Sequence, residues 1–204
     1  MDFIGYFLNE GLCYICKKDG YILCERCFSK LDSVENPIYI DGVRYYSLYI
    51  YNHMASKILI TSKYPPYHFY VLKFLLGKSK IPNFDNYLLC PIPLNSLKFY
   101  ERGFNQVEII TKFLSKRFKL HEIGLLNRVR YTQPLYKLSS RQRKYEMKEA
   151  FRPTIAAKLI PQKHSYQVLL VDDLITTGNT VKNCIQALTK LGFNQIEVFS
   201  LFRA

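Results

Sequence analysis

The chain has 204 residues, of which 49% are hydrophobic and 22% are charged, and it contains only 9 glycines and 9 prolines. This composition excludes a disordered chain, a collagen-like repeat and a bundle of membrane helices, and the length predicts one core domain with a small appendage. The 29 basic residues outnumber the 16 acidic ones, which gives a formal charge of +13. We therefore expect anionic partners, either nucleic acid or phosphorylated metabolites.

The positive charge is concentrated in the middle of the chain. Residues 95–152 contain 14 basic and 5 acidic residues, a net charge of +9. Aromatic side chains lie between these charges and are candidates for stacking on unpaired bases, although Phe104, Phe113 and Phe118 also fit the spacing of a helix core. A polyanion-binding face and an ordinary solvated surface are both compatible with this pattern.

The N-terminal segment does not have the pattern of a signal peptide. Residues 1–9 lack a basic region followed by an apolar run, and no segment reaches the roughly 18 apolar residues of a membrane span. We therefore expect a cytoplasmic protein. In a reducing compartment, clustered thiols hold a metal ion more often than they form disulfides.

Two CxxC motifs near the N-terminus predict a structural zinc site. They supply four cysteines: Cys13, Cys16, Cys24 and Cys27. Four thiolates complete the tetrahedral shell of a structural zinc ion and leave no open position for a catalytic water. The alternative is a set of unrelated buried or disulfide-bonded cysteines. The other two cysteines, Cys90 and Cys184, lie in apolar segments and are predicted to pack in the core.

The segment after the cysteines predicts a β-hairpin and two helices. Apolar residues 38–40 and 43–51 flank an Asp-Gly pair, which favours a tight turn. Residues 54–63 and 66–77 have helical spacing, and Pro65-Pro66 separates them. We expect the hairpin and the cysteine motifs to form a small domain or cap. The predicted domains are a zinc-binding module (1–35), a hairpin and helical connector (36–85), and an α/β domain (86–204).

From residue 86 onward the pattern changes to alternating strands and helices. Strands are predicted at 87–90, 168–171 and 196–202, and helices at 104–118 and 179–191. This order predicts an α/β fold, with an open parallel sheet flanked by helices. The basic and weakly periodic segment 121–150 is predicted to be a functional loop or lid.

The most specific motif follows the predicted strand 168–171. Asp172 and Asp173 stand at its end, and a Thr/Gly turn (176–180) then opens a helix. In open α/β sheets ligands bind at this edge, where hydroxyls and helix N–H groups hold phosphate and carboxylates accept from sugar hydroxyls or reach Mg²⁺. The motif therefore predicts a sugar phosphate site. The alternative is that these acids and threonines only cap a turn and a helix. A nucleotide P-loop is excluded, because no Gly-Lys-Ser/Thr follows.

This string resembles the phosphoribosyl pyrophosphate (PRPP) signature of type I phosphoribosyltransferases, in which two acids precede Thr-Thr-Gly-x-Thr. The resemblance implies PRPP, with Mg²⁺, at Asp172, Asp173, Thr176, Thr177, Gly178, Asn179 and Thr180. In the 6-oxopurine enzymes of that family an acid occupies the position of Thr176. A hydroxyl has no useful pKa near neutrality, so we do not expect purine salvage.

The turn after the first strand of the α/β region corresponds to the place where type I enzymes hold pyrophosphate. Pro91 and Pro93 stiffen this turn, and Arg102 follows it as a candidate pyrophosphate ligand, since a guanidinium fits phosphate oxygens. Lys98 is a weaker candidate. Glu101 is a possible partner of Arg102, and the sequence leaves open whether Asn105 and Gln106 cap a helix or face the site.

The chain as a whole resembles the ComF/ComFC family of competence proteins. The matching segments are Cys90-Pro-Ile-Pro-Leu94, Glu101-Arg-Gly-Phe-Asn-Gln106, Leu126-Asn-Arg-Val-Arg130, Leu138-Ser139, Arg143 and Ala150-Phe151, together with the four-cysteine head. Leu135 and Glu146 depart from the family pattern, which usually has Gln and Asn there. The role of these two positions is therefore undefined.

The resemblance implies a cytoplasmic competence protein that handles imported single-stranded DNA during natural transformation, with a helicase-like partner. An alternative is a working phosphoribosyltransferase that transfers ribose 5-phosphate from PRPP to a nitrogen acceptor. A third hypothesis, a PRPP-sensing transcriptional regulator, lacks a recognisable helix-turn-helix. The competence and phosphoribosyltransferase hypotheses are compatible, since PRPP could be either a substrate or a regulatory ligand that alters DNA binding.

Overall fold

The computed structural model describes residues 11–18, 20, 22–64, 67–94, 96–129 and 150–204. The described helices are α1 (Glu25–Phe28), α2 (His53–Thr61), α3 (Tyr67–Lys78), α4 (Ser96–Arg102), α5 (Gln106–Phe118), α6 (Ile155–Leu159) and α7 (Asn179–Leu191). The described strands are β1 (Ile38–Ile40), β2 (Val43–Ile50), β3 (Tyr87–Pro91), β4 (His121–Glu122), β5 (Leu126–Arg128), β6 (Phe151–Pro153), β7 (Gln167–Ile175) and β8 (Gln195–Arg203). Among these residues, no helix combines the length and apolarity needed to cross a bilayer.

A six-stranded sheet forms the centre of the fold, in the order β1-β2-β8-β7-β3-β4. All neighbouring strands run parallel except the β1–β2 hairpin. Strands β5 and β6 form a separate antiparallel pair. The predicted α/β class with a parallel sheet flanked by helices is therefore confirmed.

The hairpin belongs to the central sheet, which differs from the predicted small cap. Its tight turn is confirmed, since Asp41 and Gly42 both have positive φ, 51° and 79°. Strand β2 pairs in parallel with β8, however, from Tyr45 opposite Val198 onward. The pairing satisfies backbone groups that would otherwise form an open edge of β8. The domain boundaries after residues 35 and 85 stay a prediction.

Alternate residues of the central strand β7 serve two apolar cores, one on each face of the sheet. Leu169 and Val171 belong to the core that contains α2, α3 and α5, whereas Val168 and Leu170 belong to the core that contains α7. Side chains of a strand alternate between faces, so a run of consecutive apolar residues is what a strand covered by helices on both faces requires.

The cysteine module packs on the first of these cores. Cys13, Leu23 and Cys27 are buried within it. The Phe28 ring lies edge-on to Tyr49 of β2, with 6.3 Å between the ring centres. The module is therefore attached to the sheet through apolar contacts.

Two predicted elements differ in their bounds. Helix α5 begins at Gln106 rather than at residue 104, because Gly103 has a φ of +75° and the Asn105 side chain caps the helix by accepting from the Val107 N–H. Strand β7 continues to Ile175, so Asp172 and Asp173 lie in its last four residues. Of the predicted loop 121–150, the described part contains β4 and β5, and residues 130–149 lie outside the described residues.

Candidate functional site

The carboxyl ends of β3 and β7 lie side by side where the strand order reverses. From β3 the chain passes through α5 to β4 on one side, and from β7 it passes through α7 to β8 on the other. Open α/β sheets bind ligands in the crevice at such a switch point. The backbone N–H of Ile92, just after β3, donates to the carbonyl of Val171 on β7 at 2.9 Å. This hydrogen bond holds the turn after β3 against the strand that carries the two acids.

Asp172 and Asp173 form the acidic part of this crevice. Both are partly buried, and the N–H of Asp173 donates to the Oδ1 atom of Asp172 at 2.9 Å. Burial raises the pKa of Asp172 well above its ordinary value, and the neighbouring charge of Asp173 raises it further. A bound cation or a donor hydroxyl would lower the pKa of Asp172 again, because it would stabilise the charged form of the carboxylate.

The Thr/Gly turn places a glycine at the N-cap of α7. Thr176 and Thr177 are exposed, and the N-cap of α7 is Gly178, which has no side chain to accept from the first N–H groups of the helix. The interpretation that the acids and threonines only cap a turn and a helix stays an alternative to the sugar phosphate site. Gly178 has a φ of +71°, but an added Cβ would meet no atom within 4 Å. Glycine is required here by the left-handed backbone, and the space beside it is open.

Arg102, at the end of α4, is held by a buried amide. Its guanidinium donates to Oε1 of Gln106 at 2.9 Å. The Nε2 atom of Gln106 donates in turn to the hydroxyl of Ser62, also at 2.9 Å. The suggested partner Glu101 is exposed, and the recorded side-chain hydrogen bond of Arg102 goes to Gln106 instead. Gln106 therefore orients Arg102. The sequence had left open whether Gln106 caps a helix or faces the site.

The Asn105 side chain connects the start of α5, just after Arg102, to the switch point. Besides capping α5, its Nδ2 atom donates to the carbonyl of Ile92 at 3.3 Å. Together with the Ile92–Val171 hydrogen bond, this contact links the start of α5 to β7. The predicted residues 172–180 are contiguous on β7 and α7, and Arg102 follows the neighbouring turn after β3.

Arg128 on β5 is a site residue that the sequence analysis missed. Its positive charge opposes the rise in the pKa of Asp172 that burial and Asp173 cause. Its Nε atom is buried and has no hydrogen-bond partner among the described residues, and its guanidinium lies 5.4 Å from the centre of the Phe151 ring. Arg128 entered the sequence analysis only as part of a matching motif, because the position of β5 in the fold depends on contacts between distant segments.

Cys90 and Cys184 are core residues, as predicted. Both are fully buried in the α7 core. Burial raises the pKa of Cys90 to about 12, and it raises that of Cys184 as well. Both thiols therefore stay protonated and unreactive at neutral pH.

The four N-terminal cysteines form a cluster able to hold a metal ion. The four sulfur atoms all lie within 4.8 Å of one another, and those of Cys16 and Cys24 are 3.7 Å apart. A tetrahedral zinc site with Zn–S bonds of about 2.3 Å places its sulfurs about 3.8 Å apart. The cluster fits such an ion in both donor type and spacing.

The backbone around the cluster stabilises thiolates unequally. A hydrogen bond from the backbone of Lys18 lowers the pKa of Cys16 to about 6. Burial, followed by the neighbouring thiols, raises the pKa of Cys27. The N–H of Cys24 also points to the sulfur of Cys13, at 3.4 Å. Four thiolates this close require a cation to offset their repulsion.

Comparison with known proteins gives a consistent set of relatives. No family model matches the chain. The chain is 32% identical over 117 residues to Competence protein F of Haemophilus influenzae, which covers 57% of this chain and 50% of that protein. It is 32% identical over 113 residues to the DNA utilization protein YhgH of Escherichia coli, covering 55% and 47%. It is 25% identical over 169 residues to Competence protein ComFC of Streptococcus pneumoniae, covering 79% and 69%.

The matched region spans about half the length of the first two relatives. These homologues support the assignment of the chain to the ComF/ComFC family.

Proposed function

We propose that this member of the ComF/ComFC family is a competence protein that handles imported single-stranded DNA in the cytoplasm during natural transformation. We further propose that it binds PRPP with Mg²⁺ at the crevice between β3 and β7. Competence and DNA utilization are the roles printed in the names of its relatives. The PRPP site would add a second property to DNA handling, because the protein would sense or use a phosphorylated ligand close to its proposed DNA-binding surface.

The observation that carries the PRPP proposal is the arrangement at the end of β7. A partly buried pair of acids precedes a helix N-terminus whose N-cap is a glycine, at the switch point of the sheet. In the proposed complex, Asp172 and Asp173 accept from the ribose hydroxyls, and the Thr/Gly turn (176–180) holds the 5′-phosphate through hydroxyl and N–H groups. Arg102, oriented by Gln106, pairs with the pyrophosphate. Mg²⁺, when bound, neutralises pyrophosphate charge.

We propose that the metal of the cysteine cluster is structural zinc. All four ligand positions are thiols, so the coordination shell is complete without water. The head packs on the sheet through Leu23 and Phe28. Zinc would therefore fix the local fold of a module that is attached to the sheet through apolar contacts.

A second candidate function is transfer of ribose 5-phosphate from PRPP to a nitrogen acceptor. The observation in its favour is Asp172, since its raised pKa brings proton exchange closer to neutral pH at the edge where the ligand would bind.

The test is calorimetric titration of the zinc-loaded protein with PRPP and Mg²⁺, followed by measurement of pyrophosphate release with nucleobases, amines and single-stranded DNA. The variant Asp172→Asn/Asp173→Asn is expected to lose binding. The control Glu35→Gln/Asp85→Asn makes the same change in charge at two exposed acids and is expected to bind normally. Binding without turnover supports a ligand sensor, and turnover supports the transferase. Equal PRPP affinity in both variants would overturn the assigned site.

A further inference from the structure

A groove of about 780 Å³ lies between α3 and α5. It is called the α3–α5 groove below. Ile109 and Phe113 of α5 contribute to its apolar lining, and Phe69 of α3 lines the opposite side. Both helices pack on the sheet through residues beneath the groove, such as Leu72 and Ile110, which are fully buried. The groove is therefore supported by a rigid base.

The rim of the α3–α5 groove is strongly basic. Four cations line it, Lys73, Lys112, Lys116 and Arg117, against one carboxylate, Glu108. All four cations are exposed, and none forms a salt bridge with a carboxylate among the described residues. Surface cations are commonly neutralised by neighbouring acids, so a net charge of +3 around an apolar groove indicates an anionic occupant.

Aromatic and cationic groups alternate along the groove. The Phe69 ring is 40% exposed, and the Nζ atom of Lys73 lies 3.7 Å from its centre. On α5, Lys112 and Lys116 stand one turn apart on either side of the partly buried Phe113. An exposed ring offers a stacking surface for a base, and cations one helical turn apart, about 5–6 Å, suit successive backbone phosphates.

We propose that the α3–α5 groove binds single-stranded DNA, with bases stacked on Phe69 and phosphates held by Lys73, Lys112, Lys116 and Arg117. This inference rests on the proposed function, because it names the surface that performs the proposed DNA handling. An acidic amphipathic peptide is the competing occupant. Single-stranded DNA is favoured because Lys112 and Lys116 stand at the spacing of successive phosphates, near the exposed ring of Phe69.

The groove begins beside the PRPP crevice. Asn105 lines its end, and the same side chain donates to Ile92 on the turn after β3. A strand of DNA in the groove therefore approaches the end of α4, where Arg102 lies. This placement gives a physical route by which a ligand in the crevice would alter DNA binding.

The experiment measures binding of a fluorescein-labelled oligothymidylate by fluorescence anisotropy over a series of salt concentrations. The groove variant replaces Lys73, Lys112 and Lys116 by Gln. The control variant replaces Lys30, Lys158 and Lys190 by Gln, which removes the same charge from exposed positions outside the groove. The groove variant is expected to reduce the slope of log affinity against log salt by about 2, since each phosphate contact to a single strand contributes about 0.7. The control is expected to keep the wild-type slope.

A single change separates stacking from charge. Phe69→Ala is expected to weaken oligothymidylate binding about tenfold without changing the salt slope, because stacking on a base is insensitive to salt. Circular dichroism confirms that each variant is folded.

Three outcomes would overturn the inference. Groove and control variants with equal slopes, on a wild-type protein that binds DNA, would reject the groove and leave DNA handling in place. A wild-type protein that binds no more tightly than an unrelated basic protein would reject the proposed function itself. If the groove variant loses binding to an acidic amphipathic peptide while its DNA affinity is unchanged, the groove would be assigned to a protein partner.

Discussion

The Oε1 atom of Gln106 accepts a hydrogen bond from the Arg102 guanidinium at 2.9 Å, while Gln106 itself is only 2% exposed. Its amide nitrogen is anchored on Ser62, next to α2. A candidate pyrophosphate ligand is thus positioned by a side chain that belongs to the core. The orientation of the Arg102 side chain therefore depends on the packing of α5 against α2, and not only on α4, the helix that carries it.

Gln106→Leu tests this relationship. Without the amide, Arg102 loses its oriented partner, and we expect PRPP affinity to fall about tenfold, the equivalent of one hydrogen bond to a charged group. The buried Ser62 hydroxyl also loses a partner, so the free energy of unfolding should decrease by about 1–2 kcal/mol. Calorimetry and thermal unfolding measure the two effects.

The matched control is Ser62→Ala, which removes the shorter of the two hydrogen bonds of the Gln106 amide nitrogen but leaves the contact of Gln106 with Arg102. We expect a similar loss of stability with a smaller loss of PRPP affinity. If both variants bind PRPP as the wild type does, Arg102 has no role that depends on Gln106.

Asp172→Asn is expected to increase stability at neutral pH while it removes PRPP binding. Asp172 has a raised pKa in the folded protein, so folding is most favoured when this carboxyl is protonated, and stability is lost as the pH rises through the folded pKa. Asparagine stays neutral and avoids this loss. The melting temperature of the ligand-free variant should therefore exceed that of the wild type at pH 7, by about 2–4 °C for each kcal/mol.

The difference in melting temperature between Asp172→Asn and the wild type should shrink as the pH falls toward the ordinary pKa of an aspartate. Thermal unfolding from pH 4 to pH 8 measures it. A difference that does not depend on pH would show that Asp172 is ionised in the folded protein without cost.

Removal of the metal is expected to unfold the cysteine head, residues 1 to about 35. Formation of a small metal site is linked to folding, so a chelator should lower the circular dichroism signal and expose this segment to proteases. Because Phe28 packs on Tyr49, the melting temperature of the remaining protein should also decrease. Addition of zinc should restore both signals. Chelation that strips the metal without these changes would contradict a structural role.

Gly20→Ala is expected to weaken metal binding. Gly20 has a φ of +146°, and an added Cβ would lie 2.6 Å from the Cβ of Cys24. The backbone between the two CxxC motifs must therefore shift, which displaces a ligand. We expect at least a tenfold loss of zinc affinity, measured by competition with a chelator. Gly124→Ala is the control, because its added Cβ meets no atom within 4 Å, and it should bind zinc normally.

The sequence by itself determined the local chemistry. Residues 168–180 predicted a strand, two acids and a helix start because apolar periodicity and turn residues act over short distances. The strand and the helix are confirmed, and the PRPP ligands at 172–180 stay a prediction. The cysteine spacing predicted a metal cluster, since ligands within one short loop meet whenever the loop closes.

Tertiary structure decided what depends on contacts between distant segments. Pairing of β2 with β8 placed the hairpin in the central sheet, because a strand edge is satisfied by whichever partner reaches it. Burial of Gln106 against Ser62 assigned the partner of Arg102, and the position of β5 let the charge of Arg128 act on the pKa of Asp172. The α3–α5 groove exists only because two helices pack on one face of the sheet, and local periodicity contains no information about the space between them.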